Sequence, residues 1–167
     1  TWWCKRINEA FKMYDILRID HFRGFAGYYN IPFGDENARR GKWDKAPGVK
    51  LFRKIKEIFP KSKIIAEDLG FITEDVRELL SDTEFPGMKI LQFGFDGNEE
   101  NDHMPSNFKE NIIVYTGTHD NPTLKEWFET LDFNRIRYIR NLVNEEDNDR
   151  IIDKLINSKN YKVFIDG

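Results

Sequence analysis

Three acidic positions follow directly on short apolar runs. Asp20 comes after Ile16-Leu17-Arg18-Ile19, the pair Glu67-Asp68 after Lys63-Ile64-Ile65-Ala66, and Asp120 ends the polar turn that follows Ile112-Ile113-Val114-Tyr115. If these runs are parallel strands, their C-terminal ends face one side, and carboxyl groups far apart in sequence point into a common mouth. Such a cluster suits three chemistries. Carboxylates hold divalent metals, but His21, His103 and His119 lack the paired spacing of a metal motif, so no metal site is expected. They also accompany phosphate transfer, but the glycine-rich element Arg23-Gly24-Phe25-Ala26-Gly27 does not have the pattern of a phosphate loop. In glycoside chemistry one carboxyl attacks the anomeric carbon while a second works as acid and base, and three carboxylates meet that need with one to spare.

Each residue also has a plainer reading. A single Asp after a strand commonly caps a helix or closes a loop. One of Glu67 and Asp68 could merely cap the turn before Leu69-Gly70, His119 could be a turn histidine, and Arg18 could simply neutralise an acidic neighbour. Shared position at strand ends is what favours chemistry. Arg18 and Asp20 are two apart and project to the same side of a strand, where a guanidinium keeps a carboxylate ionised and aimed. Phe22, Phe25, Tyr28, Tyr29, Phe33 and Trp43 crowd one loop. Singly they read as loop packing; as a group they fit the apolar faces of sugar rings.

The elements that must position these side chains alternate. Trp3, Ile7, Ala10 and Phe11 recur at helical spacing and predict a helix over 3–13, feeding a strand over 16–20. A loop rich in Gly, Pro and aromatics covers 21–48, followed by a helix over 49–59 that Pro60 stops. Then come a strand over 63–66, a helix over 73–81, a strand over 88–95, an irregular stretch over 96–110 and a strand over 112–115. Helical patterns occupy 122–130, 133–142 and 145–156, and 161–165 begins a fifth strand. This alternation implies right-handed parallel crossovers, in an open doubly wound sheet or in part of a (β/α)8 barrel. No repeat, low-complexity tract or linker divides the chain.

Bulk properties narrow the partners. Hydrophobic residues make up 40% of the 167, enough for a folded core. Lys plus Arg number 26 against 29 Asp plus Glu, a net charge of −3, which gives no electrostatic reason to expect nucleic acid or an anionic membrane. Cys4 is the only cysteine, so no intrachain disulfide can form, and a reducing, cytoplasmic setting is expected. No apolar run approaches the ~20 residues of a membrane span. The chain begins and ends mid-pattern, as an excerpt of a longer protein would.

Four segments resemble one known family. Arg18-Ile19-Asp20-His21-Phe22-Arg23-Gly24-Phe25, Ile64-Ile65-Ala66-Glu67-Asp68-Leu69-Gly70, Pro86-Gly87-Met88-Lys89-Ile90-Leu91-Gln92-Phe93 and Tyr115-Thr116-Gly117-Thr118-His119-Asp120-Asn121 are similar, in that order, to motifs of the 4-alpha-glucanotransferases, also called amylomaltases or disproportionating enzymes. The resemblance runs from about Trp2 to Trp127, gains from Gly41-Lys42-Trp43 and Ala46-Pro47-Gly48, and fades beyond about Phe133.

The resemblance implies an α/β fold in which 1–167 is a single fragment of a (β/α)8, or TIM, barrel catalytic domain. Its four to five parallel strands would match the fourth to the seventh or eighth, with the N-terminal part of the barrel and the C-terminal end missing. It implies retaining transfer of α-1,4-glucan segments through a covalent glycosyl-enzyme. Asp20 matches the nucleophile, Glu67 the general acid/base, and Asp120 the carboxylate that holds sugar hydroxyls and stabilises the transition state. Arg18 and His119 match residues supporting that subsite, and Phe93 an aromatic near the acceptor sugar. The implied partners are an α-1,4-glucan donor and acceptor, as maltooligosaccharides, starch or glycogen, and no cofactor. Pro122 stands where the family has a second Asp or similar residue, a change that a helix start tolerates. A complete barrel takes roughly 250 residues and eight strands. The chain alone is therefore expected to have little or no activity and to self-associate through open sheet edges. A hydrolytic α-glycosidase on a related barrel and a non-catalytic glucan-binding fragment are the alternative readings.

Overall fold

The computed structural model describes residues 2–157 and the backbone of 163–164. They divide into two compact units, one up to Gly87 and one from Met88 onward.

In the first unit, helix α1 (Trp2–Phe11) leads into strand β1 (Ile16–Ile19). An antiparallel hairpin follows, β2 (Gly27–Asn30) with β3 (Lys42–Lys45), then α2 (Gly48–Ile58), β4 (Lys63–Ala66) and α3 (Glu74–Thr83). Strands β1 and β4 are parallel, paired from Ile16↔Lys63 to Ile19↔Ala66. The sequence predicts this helix-strand alternation, and the reason is burial. Ile64 and Ala66 from β4, Phe52 and Ile55 from α2, and Val76 and Leu79 from α3 close one hydrophobic cluster with Ile7 of α1. Aromatic rings fill its centre. Phe22 stacks on Phe52 with centroids 5.2 Å apart, and Phe85 meets Phe52 edge-on at 5.3 Å.

The hairpin is a departure from the loop expected over 21–48. Its strands, Gly-Tyr-Tyr-Asn and Lys-Trp-Asp-Lys, are four residues each, too short to show a period, and they are identified by pairing rather than by pattern. Tyr29 faces Trp43 across the ladder at 5.5 Å between ring centroids and donates its hydroxyl to the Ala38 carbonyl at 2.9 Å. Gly41 makes room for the same Tyr29 ring, which a Cβ at position 41 would strike.

Strand β5 (Gly87–Ile90) runs into the second unit, where β6 (Ile112–Tyr115) and β7 (Val163–Phe164) complete a three-stranded sheet in the order β5-β6-β7. Strands β6 and β7 are parallel, with Val114↔Val163 and Tyr115↔Phe164. Positions 161, 162 and 165 of the expected fifth strand lie outside the described residues. The strand expected over 88–95 is shorter than its apolar run, because Leu91–Gly94 forms a 3-10 turn. Leu91 and Phe95, four apart, both enter one core with Met104, Phe128, Ile139, Ile151 and Leu155.

Three helices contribute to that core, α4 (Leu124–Glu129), α5 (Phe133–Val143) and α6 (Asn148–Ile156). Each has a side-chain cap: Thr123 accepts from the Glu126 N–H, Asp132 from those of Asn134 and Arg135, and Asp147 from that of Arg150. Such caps stabilise a helix start by about 1 kcal/mol each. The fold is thus α/β with short parallel strands, and among the described residues no helix is long and apolar enough to cross a membrane.

Gly48 tests the packing of the first unit. It is buried at the start of α2, and a Cβ there would collide with the backbone carbonyl of Phe25, which a side-chain rotation cannot relieve. Gly48→Ala is expected to destabilise the protein by about 1–3 kcal/mol, the usual range for overpacking, read as a lower urea midpoint at unchanged slope.

Candidate active site

Parallel register brings Asp20 and Glu67 to equivalent places, each one residue beyond the paired ends Ile19↔Ala66. The Glu67 N–H continues the ladder to the Ile19 carbonyl at 2.9 Å, and the Phe22 N–H returns to the Glu67 carbonyl at 3.0 Å. The Glu67 side chain adds two bonds. Its Oε2 accepts from the His21 N–H at 2.6 Å, and its Oε1 from the Leu69 N–H at 2.9 Å. These bonds fix the carboxylate relative to both strand ends.

To present that N–H, His21 adopts the left-handed conformation, with φ 48° and ψ 51°. Histidine is among the residues that tolerate this region. Phe22, 0% exposed, anchors the next step of the chain in the core. Asp20 stands exposed and Arg18 half-buried, and both line a cleft of about 860 Å³ with Trp3, Phe25 and Tyr28.

The structure separates the two members of the Glu67-Asp68 pair. Asp68 turns its carboxylate onto Gly87, where a Cβ would lie 2.8 Å from Oδ2. Glu67 is therefore the one that meets the chain leaving β1. Of the loop aromatics, Phe22 and Phe25 pack against Phe52, whereas Tyr28, Tyr29, Phe33 and Trp43 are exposed.

In the second unit, Asp120 sits on a tight turn after β6. Asn121 shapes it: its Oδ1 accepts from both the N–H and the hydroxyl of Thr118 at 2.9 Å, and its own N–H returns to the Thr118 carbonyl at 2.9 Å. The Asp120 N–H leans on Thr118 Oγ1 at 3.3 Å. His119 Nε2 lies 3.5 Å from Asp120 Oδ2, and both side chains are exposed. Phe93, 42% exposed, meets the ring of His103 edge-on at 5.4 Å, while Asn101 donates from its amide to the Phe93 carbonyl and to Asp96.

The expected residues thus fall into two groups. Arg18, Asp20 and Glu67 belong to the first unit, and Phe93, His119 and Asp120 to the second. Sequence reasoning assigns no role to Thr118 and Asn121, which form the turn, or to His103, which abuts Phe93. A polar Asn directly after a candidate Asp in a turn is the one signal that marks Asn121. Among the described residues no three His, Cys, Asp or Glu side chains form a cluster able to hold a metal ion.

Short parallel strands whose C-terminal ends carry acidic residues define the α/β class in which side chains for chemistry are collected at strand ends. The sequence pattern described as 4-alpha-glucanotransferase matches residues 1–163, and the chain belongs to that family. It is 52% identical over 128 residues to the 4-alpha-glucanotransferase of Clostridium butyricum, covering 77% of this chain and 26% of the relative. To the 4-alpha-glucanotransferase of Aquifex aeolicus it is 44% identical over 156 residues, covering 93% of this chain and 32% of the relative. Among solved structures it is similar to an amylomaltase from Streptococcus agalactiae in complex with acarbose, with a TM-score of 0.86, 41% identity, and coverage of 99% of this chain and 34% of that one. The chain therefore spans about a quarter to a third of the length of these relatives.

His103 gives the second unit a dependence on pH. Its Nδ1 accepts the Ile90 N–H at 3.0 Å, which requires the neutral ring at that atom. Burial, with Lys89 nearby, pushes its pKa down from 6.5 to about 4, against a smaller upward pull from Asp102 and Asp96. A histidine that titrates lower when folded contributes stability that is full above its unfolded pKa and is lost as pH falls. Stability is expected to decline between pH 6.5 and about 4. His103→Asn keeps an acceptor and removes the titration, so its urea midpoint should fall less across that window than that of the unaltered protein.

Proposed function

We propose that this chain carries the catalytic carboxylates of an enzyme that transfers α-1,4-glucan segments with retention of configuration. The observation that carries the reading is Glu67, held by two backbone N–H groups at a strand end aligned with that of Asp20. Family membership and the relatives named 4-alpha-glucanotransferase support it. In this reading the strands belong to a (β/α)8 barrel, matching its fourth to seventh or eighth, and 1–167 is one part of that domain. The share of each relative that the chain spans is the support. A cytoplasmic setting goes with it, supported by Cys4 being the one cysteine of the sequence and buried.

The steps follow from the chemistry. Glu67, protonated, gives its proton to the glycosidic oxygen while an Asp20 oxygen attacks the anomeric carbon; the bond to the leaving glucan breaks as the ester to Asp20 forms. Each Glu67 oxygen has a second lone-pair direction, so a proton and the backbone bonds can share the group. A hydroxyl of an acceptor glucan then attacks the anomeric carbon, Glu67 takes its proton, and the bond from that carbon to Asp20 breaks so that Asp20 leaves as carboxylate. Retention by this route calls for the two carboxyls to stand roughly 5–5.5 Å apart. Asp120 and His119 hold sugar hydroxyls, Arg18 supports the same subsite, and Phe93 offers a face to the acceptor. The donor and acceptor are α-1,4-glucans, in keeping with the names of the relatives.

In the full-length protein Asp20→Asn is expected to lower kcat by on the order of 10⁴-fold or more, as loss of a nucleophile does, measured as disproportionation of maltotriose. Unaltered protein should yield both longer and shorter maltodextrins and respond to added glucose as acceptor. Hydrolysis products alone would point to a glycosidase, and full activity of Asp20→Asn to a non-catalytic glucan binder. Residues 1–167 on their own are expected to leave maltotriose unchanged and to self-associate by light scattering; disproportionation by that piece, or a clean monomer mass, would count against the partial-barrel reading.

A further inference from the structure

We infer that Gln92 is a positioning residue for Asp120, acting through the turn that bears it; the inference rests on the role proposed for Asp120. Gln92 is a polar residue inside the apolar run Met88–Phe95, and it is buried, 6% exposed, beside Ile90 and Leu91 at 0%. A buried amide is costly unless its hydrogen bonds are made. Those of Gln92 go to the two sides of the Asp120 turn. Its backbone N–H donates to the Thr116 carbonyl at 3.3 Å, just before the turn, and its side-chain Nε2 donates to the Pro122 carbonyl at 2.8 Å, just after it. A carbonyl can only accept, so the Pro122 bond also fixes which end of the amide faces the turn.

Gly117 completes the seat. A Cβ at that position would lie 2.8 Å from Gln92 Nε2 and 3.1 Å from the Asn121 Cβ, so a residue without a side chain is what admits the amide. The bonds between Thr118 and Asn121 give the turn its shape. Gln92 ties both of its ends to a single residue on the segment after β5. Asp120 itself is exposed, with His119 Nε2 3.5 Å from its Oδ2, so where its carboxylate stands depends on the backbone beneath it. A carboxylate that works chiefly in the transition state is sensitive to displacement: a shift of about 1 Å can cost a factor of roughly 10² in rate.

The test uses the full-length protein and an α-maltosyl fluoride donor, whose good leaving group keeps slow variants measurable. Gln92→Met preserves volume and removes the amide. It is expected to lower kcat about 10-fold or more while KM changes by less than about 3-fold, the signature of an interaction made in the transition state. Gly117→Ala, which displaces the amide without removing it, should reproduce that split. In an Asp120→Asn background, Gln92→Met should change kcat by less than about 3-fold, because residues acting as one unit are not additive. A merely structural role predicts the same fractional loss in both backgrounds.

Wild-type kcat in folded Gln92→Met, or additive losses, would overturn the inference. If Gln92→Met does not fold, Gly117→Ala alone and combined with Asp120→Asn decides by the same criteria. Asp120→Asn measured alone separates the two levels of the argument. Full activity there removes the role of Asp120 and the inference with it, whereas a large loss there with an unaffected Gln92→Met removes only the inference.

Discussion

Glu67 and the chain leaving β1 are joined at three atoms, and the arrangement of the strand ends in the first unit depends on that junction. The Glu67 N–H, C=O and carboxylate bond in turn to Ile19, Phe22 and His21. The arrangement requires His21 in the left-handed region, a cost of about 1–2 kcal/mol for a residue with a side chain. A hydrogen bond contributes about 0.5–1.5 kcal/mol, and burial of a large apolar side chain such as that of Phe22 about 1.5–3 kcal/mol more. The favourable contributions win, so the sharp turn after Asp20 is a stable consequence of packing rather than a strained exception.

The two units solve the placement of a carboxylate differently. Glu67 is bonded directly by backbone donors, which restrict the side chain itself. Asp120 is exposed, and order is supplied one level down, by amide side chains that shape its turn and tie its ends. Asp20 follows a third pattern, in which strand register places the residue. Direct bonding restricts the side chain of Glu67, whereas support through backbone leaves that of Asp120 exposed.

Much of this was legible in the residues because it is local. The runs over 63–66 and 112–115 coincide with β4 and β6, and α1, α2 and α5 begin within a residue of where their apolar spacing puts them. Asp20, Glu67 and Asp120 do follow strands. What was hidden depends on partners distant in sequence. The β2–β3 hairpin is defined by pairing across a long connection, and nothing in Gly-Tyr-Tyr-Asn alone announces it. The early end of β5 is decided by a core built largely from helices beyond residue 120. The seat of the Asp68 carboxylate against Gly87, nearly twenty residues away, is likewise invisible in the local sequence.

The junction at Glu67 also bears on how such a site is written in a genome. The partner of its carboxylate is the main-chain N–H of residue 21, not the imidazole. Every amino acid except proline supplies that donor. The bond itself does not read the side chain of residue 21, but the left-handed backbone that presents the donor does, and it favours residues such as His, Asn or Gly there. The genetic signature lies also on neighbours, in Glu67 and in the buried ring of Phe22 that holds the backbone in reach.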